Sequence, residues 1–401
     1  MSRLDRRTLL LAAGASAATP KIAAAEPAAF VDLPFTNGRR PLVRYPQKRP
    51  LIRLTTRPPQ LETPFAVFDE GSLTPNDAFF VRYHLGGAPP RIDPAAWRLQ
   101  IGGAVDKPLE IDLAALRGHF PVRETIAVLQ CSGNGRGFFE PRVGGGQAAN
   151  GLMGMARWRG VPLKALLEAA GVRRSAVQVS FRGADDPPLP TIPPFVKALD
   201  LGHAVDGEVM VAFEMNGAAL PVLNGYPARL VVPGWYGTYW VKHLTHIELL
   251  DKPFDGFWMQ SAYRIPADDC ACVDPGAAPI ATVPINRLNL RSFITSPASG
   301  AKVAADRPLR LRGFAFDGGR GLARVEVSGD GGSTWRPAQF GPDLGRYAPR
   351  SWTATLTPPA GEVRLQVRAF DANGASQPSR PRWNPGGYMN NAIETVTVRA
   401  A

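Results

Sequence analysis

Proline and glycine break this chain so often that few of its segments can run far in one regular conformation. Its 40 prolines and 41 glycines recur through the whole length. Proline removes a backbone donor and glycine favours turns, so few long helices and many turns joining short strands are expected. At 401 residues the chain is long enough for two or three domains, with apolar residues enough for a sizeable core.

The first 25 residues stand apart. Arg3, Arg6 and Arg7 precede an apolar run from Leu9 to Ala18, and the small residues Ala23, Ala24 and Ala25 follow, which is the order of a removable signal peptide. Arg6-Arg7 followed by Thr8, Leu9 and Leu10 resembles the twin-arginine export signal. That route carries folded proteins, so a periplasmic protein with a cofactor inserted before export is expected. No further apolar run approaches the ~20 residues that span a bilayer, so no membrane insertion is expected. The net charge is +12; residues 1–25 carry four positive residues and one negative, leaving +9 beyond them. An excess of this sign favours an anionic substrate or an acidic protein partner, although a solvated basic surface has the same composition. The basic residues are dispersed rather than grouped with aromatics, which argues against nucleic acid.

Residues 26–64, with Pro46, Pro50, Pro58 and Pro59, are expected to form an extended, irregular N-terminal segment laid over the first domain. From 65 to 278 the pattern mixes elements. Strands are expected at Ala78 to His84, Thr125 to Gln130, Val177 to Phe181, Val209 to Phe213, Leu230 to Val232 and His246 to Leu250. One helix runs from Pro162 to Ala170, with Leu163, Leu166, Leu167 and Ala170 on one face and Gly171 as its stop. Strands with short inserted helices make this an α+β domain. From 279 to 401 the segments Leu309 to Arg312, Val325 to Val327 and Val363 to Val367 alternate between turns at Asp317-Gly318-Gly319, Asp330-Gly331-Gly332 and Asn373-Gly374, the pattern of an all-β, immunoglobulin-like sandwich.

Four stretches carry residues suited to chemistry. In TIAVLQCSGNGRGFFEP (125–141) six β-prone residues lead into Cys131, and Ser132-Gly133-Asn134-Gly135 forces a sharp turn that brings backbone amides close to a ligand. The charge of Arg136 favours the thiolate, the form that attacks or binds metal; a small core cysteine ending a strand, or a nucleophile, fits the same pattern. In FFVRYH (79–84) a period of two sets Phe80, Arg82 and His84 on one face and Phe79, Val81 and Tyr83 on the other. A guanidinium beside an imidazole suits an oxyanion, and a solvated polar face suits the pattern equally. In NGYPARLVVPGWYGTYWVK (224–242) Arg229 and Lys242 flank an aromatic, glycine-containing loop that can take phosphate or pterin, a spacing of low specificity by itself. Tyr263, in SAYRIP, offers a phenol that can donate to an oxygen, and a packed surface tyrosine fits the stretch better when it is read alone. Cys270 and Cys272 have one residue between them, a spacing that strains a disulfide; a bridge and two thiols both stay open.

Taken together, Cys131 with SGN and Arg136, the FVRYH segment, the helix after Arg157-Trp158-Arg159-Gly160-Val161-Pro162, the MNG at Met215, the YPARLVVPGWYG loop with Lys242 and the C-terminal sandwich follow one another as in the sulfite oxidase family of molybdopterin enzymes. Beyond the leader nearly all of the chain resembles this family, and most of all its bacterial periplasmic sulfite dehydrogenases. The resemblance implies that Cys131 is the single protein ligand of molybdenum, held with a molybdopterin. It places Arg82, Arg136 and Tyr263 in the substrate pocket with His84 beside them. It assigns Phe80, Val81, Arg82, Tyr83, His84, Asp185, Asn224, Arg229, Trp240, Val241 and Lys242 to the pterin and its phosphate; Asn224 departs from the animal relatives, which have histidine there. The implied activity is oxidation of sulfite to sulfate by oxygen-atom transfer, with electrons leaving singly for a c-type cytochrome that is a subunit or a separate acceptor. About 40 residues between the leader and Phe65 are too few for a haem domain, so no haem is expected in this chain. A homodimer through the sandwich and a heterodimer with the cytochrome are both implied by relatives. Related scaffolds serve sulfane dehydrogenases and methionine sulfoxide reductases, and Arg136 with Tyr263 favours anionic sulfite over a neutral sulfoxide. An exported binding protein with a structural Cys131 is the reading from a different class.

Overall fold

The computed structural model describes residues 29–401 apart from Ala88; the leader expected over residues 1–25 lies outside them. Among the described residues strands carry the fold, and the longest α-helix, Leu163–Ala170, has eight residues. It begins after Pro162, buries Leu163, Leu166, Leu167 and Ala170, and stops at Gly171, whose φ of +71° suits a residue without a Cβ.

The stretch expected to be irregular is instead paired. Phe30–Asp32, Arg39–Val43, Leu51–Thr55, Gln60–Glu62 and Val81–Arg82 form an antiparallel sheet in chain order. The four prolines stand outside its strands: Pro46 and Pro50 precede Leu51–Thr55, and Pro58 and Pro59 sit in the turn before Gln60, so none of them removes a ladder donor, and only Pro41 lies within a strand of this sheet. The strand expected from Ala78 to His84 shrinks to Val81–Arg82. The carbonyls of Phe79 and Phe80 accept from Lys48 Nζ and Asn224 Nδ2, each at 3.0 Å, rather than from a neighbouring strand.

Two further sheets enclose the main core. One runs Val196–Asp200, Gln178–Gly183, Leu244–Leu250, Leu99–Gly103, Leu109–Ile111, antiparallel except where Leu244–Leu250 lies parallel to Leu99–Gly103. The other runs Ala218–Ala219, Met210–Met215, Met153–Pro162, Arg123–Gln130, with Arg229–Val231 also on Met210–Met215. Trp158, Trp240, Phe181 and Phe213 are fully buried in this core.

The C-terminal unit has two facing sheets, Arg291–Ser296, Leu309–Phe316, Arg350–Leu356, Gln339–Phe340 and Lys302–Val303, Glu394–Ala400, Gly361–Asp371, Leu322–Ser328, Arg336–Pro337. Between them lies a separate core around Leu311, Val325, Trp352, Leu365 and Val367. Contacts cross the boundary expected at 278. Thr282–Pro284 pairs with Arg264–Pro266, and the segment between Gly361–Asp371 and Glu394–Ala400 returns to the first unit, where Met389 N donates to Ser132 O at 2.8 Å.

Candidate active site

Arg123–Gln130 is paired along its whole length with Met153–Pro162, and Cys131 follows at the end of that ladder. Its N–H donates to Leu152 O at 2.9 Å and its carbonyl accepts from Asn134 N at 3.0 Å. The buried Asn134 side chain closes the turn: Oδ1 accepts from Leu152 N at 2.9 Å and Nδ2 donates to Gln130 Oε1 at 3.2 Å. Gly135 has φ +79°, a conformation that glycine takes at no steric cost. The Cys131 thiol is free and half-buried, and it opens into a cavity.

That cavity is walled from distant parts of the chain. Of the residues expected to form the site, Cys131, Phe80, Arg82, Tyr83, His84, Asp185, Asn224, Arg229, Trp240, Val241, Lys242 and Tyr263 line it. Tyr83 does so although strand alternation set it on the opposite face, because regular pairing ends at Arg82. Two expected residues do not line it. Val81 is 1% exposed and packs with Leu51, Leu61 and Leu223 under the N-terminal sheet. Arg136 lies beside the cavity, its Nε donating to Gly386 O at 3.1 Å and its guanidinium over the Tyr388 ring at 5.0 Å.

The lining is cationic and buried. Arg229 is fully buried, donating to Asn224 O at 2.8 Å and Trp240 O at 2.9 Å, and burial lowers its pKa to about 9. Burial, then Arg229, holds Lys242 well below the ordinary lysine range, and its Nζ donates to Leu223 O at 3.1 Å. Behind Asn224, Lys48 donates to Asn224 Oδ1 at 2.5 Å and burial lowers it to about 7. Lys197, lowered by burial to about 7, lies 5.6 Å from the Tyr263 ring centroid. His84 is stacked on Phe195 at 3.7 Å, and burial, then Arg82 and Lys242, keeps it neutral. One lining carboxyl, Asp185, faces these groups, and burial raises it. Arg82 Nη2 donates to Tyr263 OH at 3.0 Å; burial keeps that phenol protonated, so its O–H remains free to donate inward. Tyr83 spans to His243: His243 Nδ1 meets Tyr226 O at 2.7 Å, so Nε2, 2.8 Å from Tyr83 OH, is the acceptor.

Sequence reasoning missed Lys48, Lys197, Phe195, Ser132, Thr238 and Tyr388. Local pattern carries no sign of Lys48, which meets Asn224 across 176 positions. Buried cations with so little counter-charge are costly unless an anion joins them. Arg82 Nη1, Ser132 Oγ and Thr238 Oγ1 are buried with no hydrogen-bond partner among the described residues. The residues present therefore fit an anionic group that carries phosphate, with the Cys131 thiol placed to bind a metal that the group holds.

Comparison with known proteins agrees in kind. Residues 86–258 match the family described as the oxidoreductase molybdopterin binding domain, and residues 282–401 match the Mo-co oxidoreductase dimerisation domain. The chain is 34% identical to sulfite oxidase of Gallus gallus over 89% of its own length and 80% of that protein. It is 33% identical to mitochondrial sulfite oxidase of Homo sapiens over 91% of this chain and 69% of that one. The solved structure of the sulfane dehydrogenase SoxCD from Paracoccus pantotrophus superposes with a TM-score of 0.73 at 29% identity, covering 92% of this chain and 88% of that chain.

Proposed function

The chain belongs to the sulfite oxidase family of molybdenum enzymes, and from that membership we propose that it oxidises sulfite to sulfate and passes the electrons singly to a c-type cytochrome. The coarser activity, molybdenum-dependent oxidation of sulfur compounds, and the molybdopterin cofactor come with the family. When bound, the cofactor supplies the transferred oxygen atom and takes up two electrons. Cys131 would hold the metal, and Arg229, Lys242 and Asn224 would hold the pterin phosphate.

The observation that carries the reading is the juxtaposition of Cys131 with Arg82 and Tyr263, which line one cavity and are hydrogen-bonded to each other. Sulfite carries up to two negative charges, and Arg82 offers a buried N–H that nothing else among the described residues takes. Two N–H groups in a planar fork suit an anion with several equivalent oxygens. Tyr263 adds a donor held neutral by burial. As sulfite becomes sulfate, charge spreads over its oxygens, and donors already in place stabilise it without rearranging. His84, uncharged, adds a flat wall without drawing the anion off the arginine.

The basic net charge supports docking of an acidic face of a cytochrome, and Arg6-Arg7 before an apolar run supports folded export to the periplasm. The two-layered C-terminal unit reads as immunoglobulin-like, and its match to a dimerisation domain supports association of two copies through it. The test is to purify the protein from the periplasm, measure molybdenum, and follow sulfite-dependent cytochrome c reduction for wild type and Cys131→Ser. Near-stoichiometric metal is expected, with turnover lowered more than about 100-fold by the substitution. Active protein without molybdenum refutes the reading; rapid oxygen uptake with no cytochrome reduction refutes the acceptor. The likeness to SoxCD supports a second reading, a sulfane dehydrogenase, and turnover of a sulfane substrate but not sulfite by the same preparation decides for it.

A further inference from the structure

Arg136 and Arg82 are joined by two tyrosines. The Arg136 guanidinium carbon lies 5.0 Å from the centre of the Tyr388 ring. Tyr388 in turn stacks on Tyr263, with centroids 5.6 Å apart and planes inclined by 29°. Tyr263 OH accepts from Arg82 Nη2 at 3.0 Å. The ladder draws on four separate stretches of chain, and Tyr388 comes from the C-terminal unit. Arg136 has little room to leave it. A Cβ at Gly133 would stand 3.0 Å from Arg136 Cζ, one at Gly145 2.9 Å from Nη1, and one at Gly387 2.9 Å from Cγ; Gly386 O takes the Nε proton at 3.1 Å. Among the described residues neither arginine has a carboxylate partner, so both charges stay uncompensated by the protein's own acids.

We propose that Tyr388 is a positioning residue for anion binding: its ring is the platform that holds the Arg136 guanidinium at a fixed offset from the Tyr263–Arg82 pair, so the C-terminal unit sets the spacing between the arginine that lines the cavity and the one beside it. A ring face attracts a guanidinium and fixes its plane, and two fixed cations discriminate a small multi-oxygen dianion from a neutral sulfur compound. The proposal rests on the sulfite reading and adds to it a specificity device contributed across the unit boundary.

The test uses the molybdenum-loaded protein with Tyr388→Leu and Tyr388→Phe. Sulfate affinity of the oxidised protein is measured by calorimetry, without turnover, and sulfite kinetics are measured beside it. Tyr388→Leu is expected to weaken sulfate binding and to raise KM for sulfite about tenfold each, with far less change in kcat and unchanged metal content. Tyr388→Phe, which keeps the platform, restores both. Wild-type sulfate affinity and KM in Tyr388→Leu overturn the proposal. A double-mutant cycle with Arg136→Met guards against a packing effect: if Tyr388 acts through Arg136, Tyr388→Leu has no further effect on sulfate affinity in that background, and additive losses overturn it. Wild-type, metal-loaded protein that does not oxidise sulfite refutes the functional reading alone; sulfate affinity still judges the ladder.

Discussion

Lys48 and Lys242 stand where an amine is hardest to ionise. Burial lowers Lys48 to about 7 and Lys242 well below its usual range, and Arg229 adds to the effect at Lys242. In the cofactor-free protein the folded state therefore binds fewer protons than the unfolded chain between about pH 7 and the ordinary lysine value. Stability from Lys48 consequently rises with pH across that window and is least below it. A phosphate dianion reverses the preference, because an opposite charge within a few ångströms favours the ammonium form. Inorganic phosphate binding to cofactor-free protein at pH 8 is expected to take up protons, seen calorimetrically as a heat that varies with the ionisation enthalpy of the buffer. A heat independent of the buffer would contradict this account. None of this was legible in the residues as written, since a lysine's burial depends on what folds over it.

The element that presents the thiol is the strand Arg123–Gln130 and the turn after it. Asn134 is the fastener: it takes Leu152 N–H and gives a hydrogen to Gln130, tying both ends of the turn to the ladder. Asn134→Ala leaves a buried donor unpaired and is expected to cost about 1–3 kcal/mol in urea unfolding, with weaker molybdenum retention because Cys131 loses its fixed direction. An unaltered midpoint would show that the turn holds itself. This element was readable in advance because β-propensity, a glycine turn and a terminal cysteine are local signals. The 79–84 segment was only half readable. Its alternation was real for Val81 and Arg82, but Phe79 and Phe80 give their carbonyls to side chains from elsewhere, which a period of two cannot express.

At the scale of the molecule, the two units are joined next to the site. Arg291, fully buried, bonds Glu394 at 2.5 Å, Asn150 at 3.0 Å and Gln130 at 3.4 Å, so the C-terminal unit grips the residue that precedes Cys131. Phe65 and Phe68 pack on Phe293 and Phe314 across the same boundary. Arg291→Met leaves the half-buried Glu394 carboxylate without its arginine and is expected to destabilise the protein by about 1.5–3 kcal/mol, measured by equilibrium urea unfolding; a loss below about 1 kcal/mol would mean the joint is held by the aromatic contacts. What the order of residues determined by itself was everything carried by neighbours in the chain: short strands between turns, the amphipathic helix Leu163–Ala170, the turn at Cys131 and the motifs whose succession resembles one family. What only the tertiary structure decided was which of those motifs meet, because contact across hundreds of positions depends on how the sheets pack. That packing turned Val81 into the core, set Arg136 beside the cavity and placed Lys48, Lys197 and Tyr388 against residues that line it.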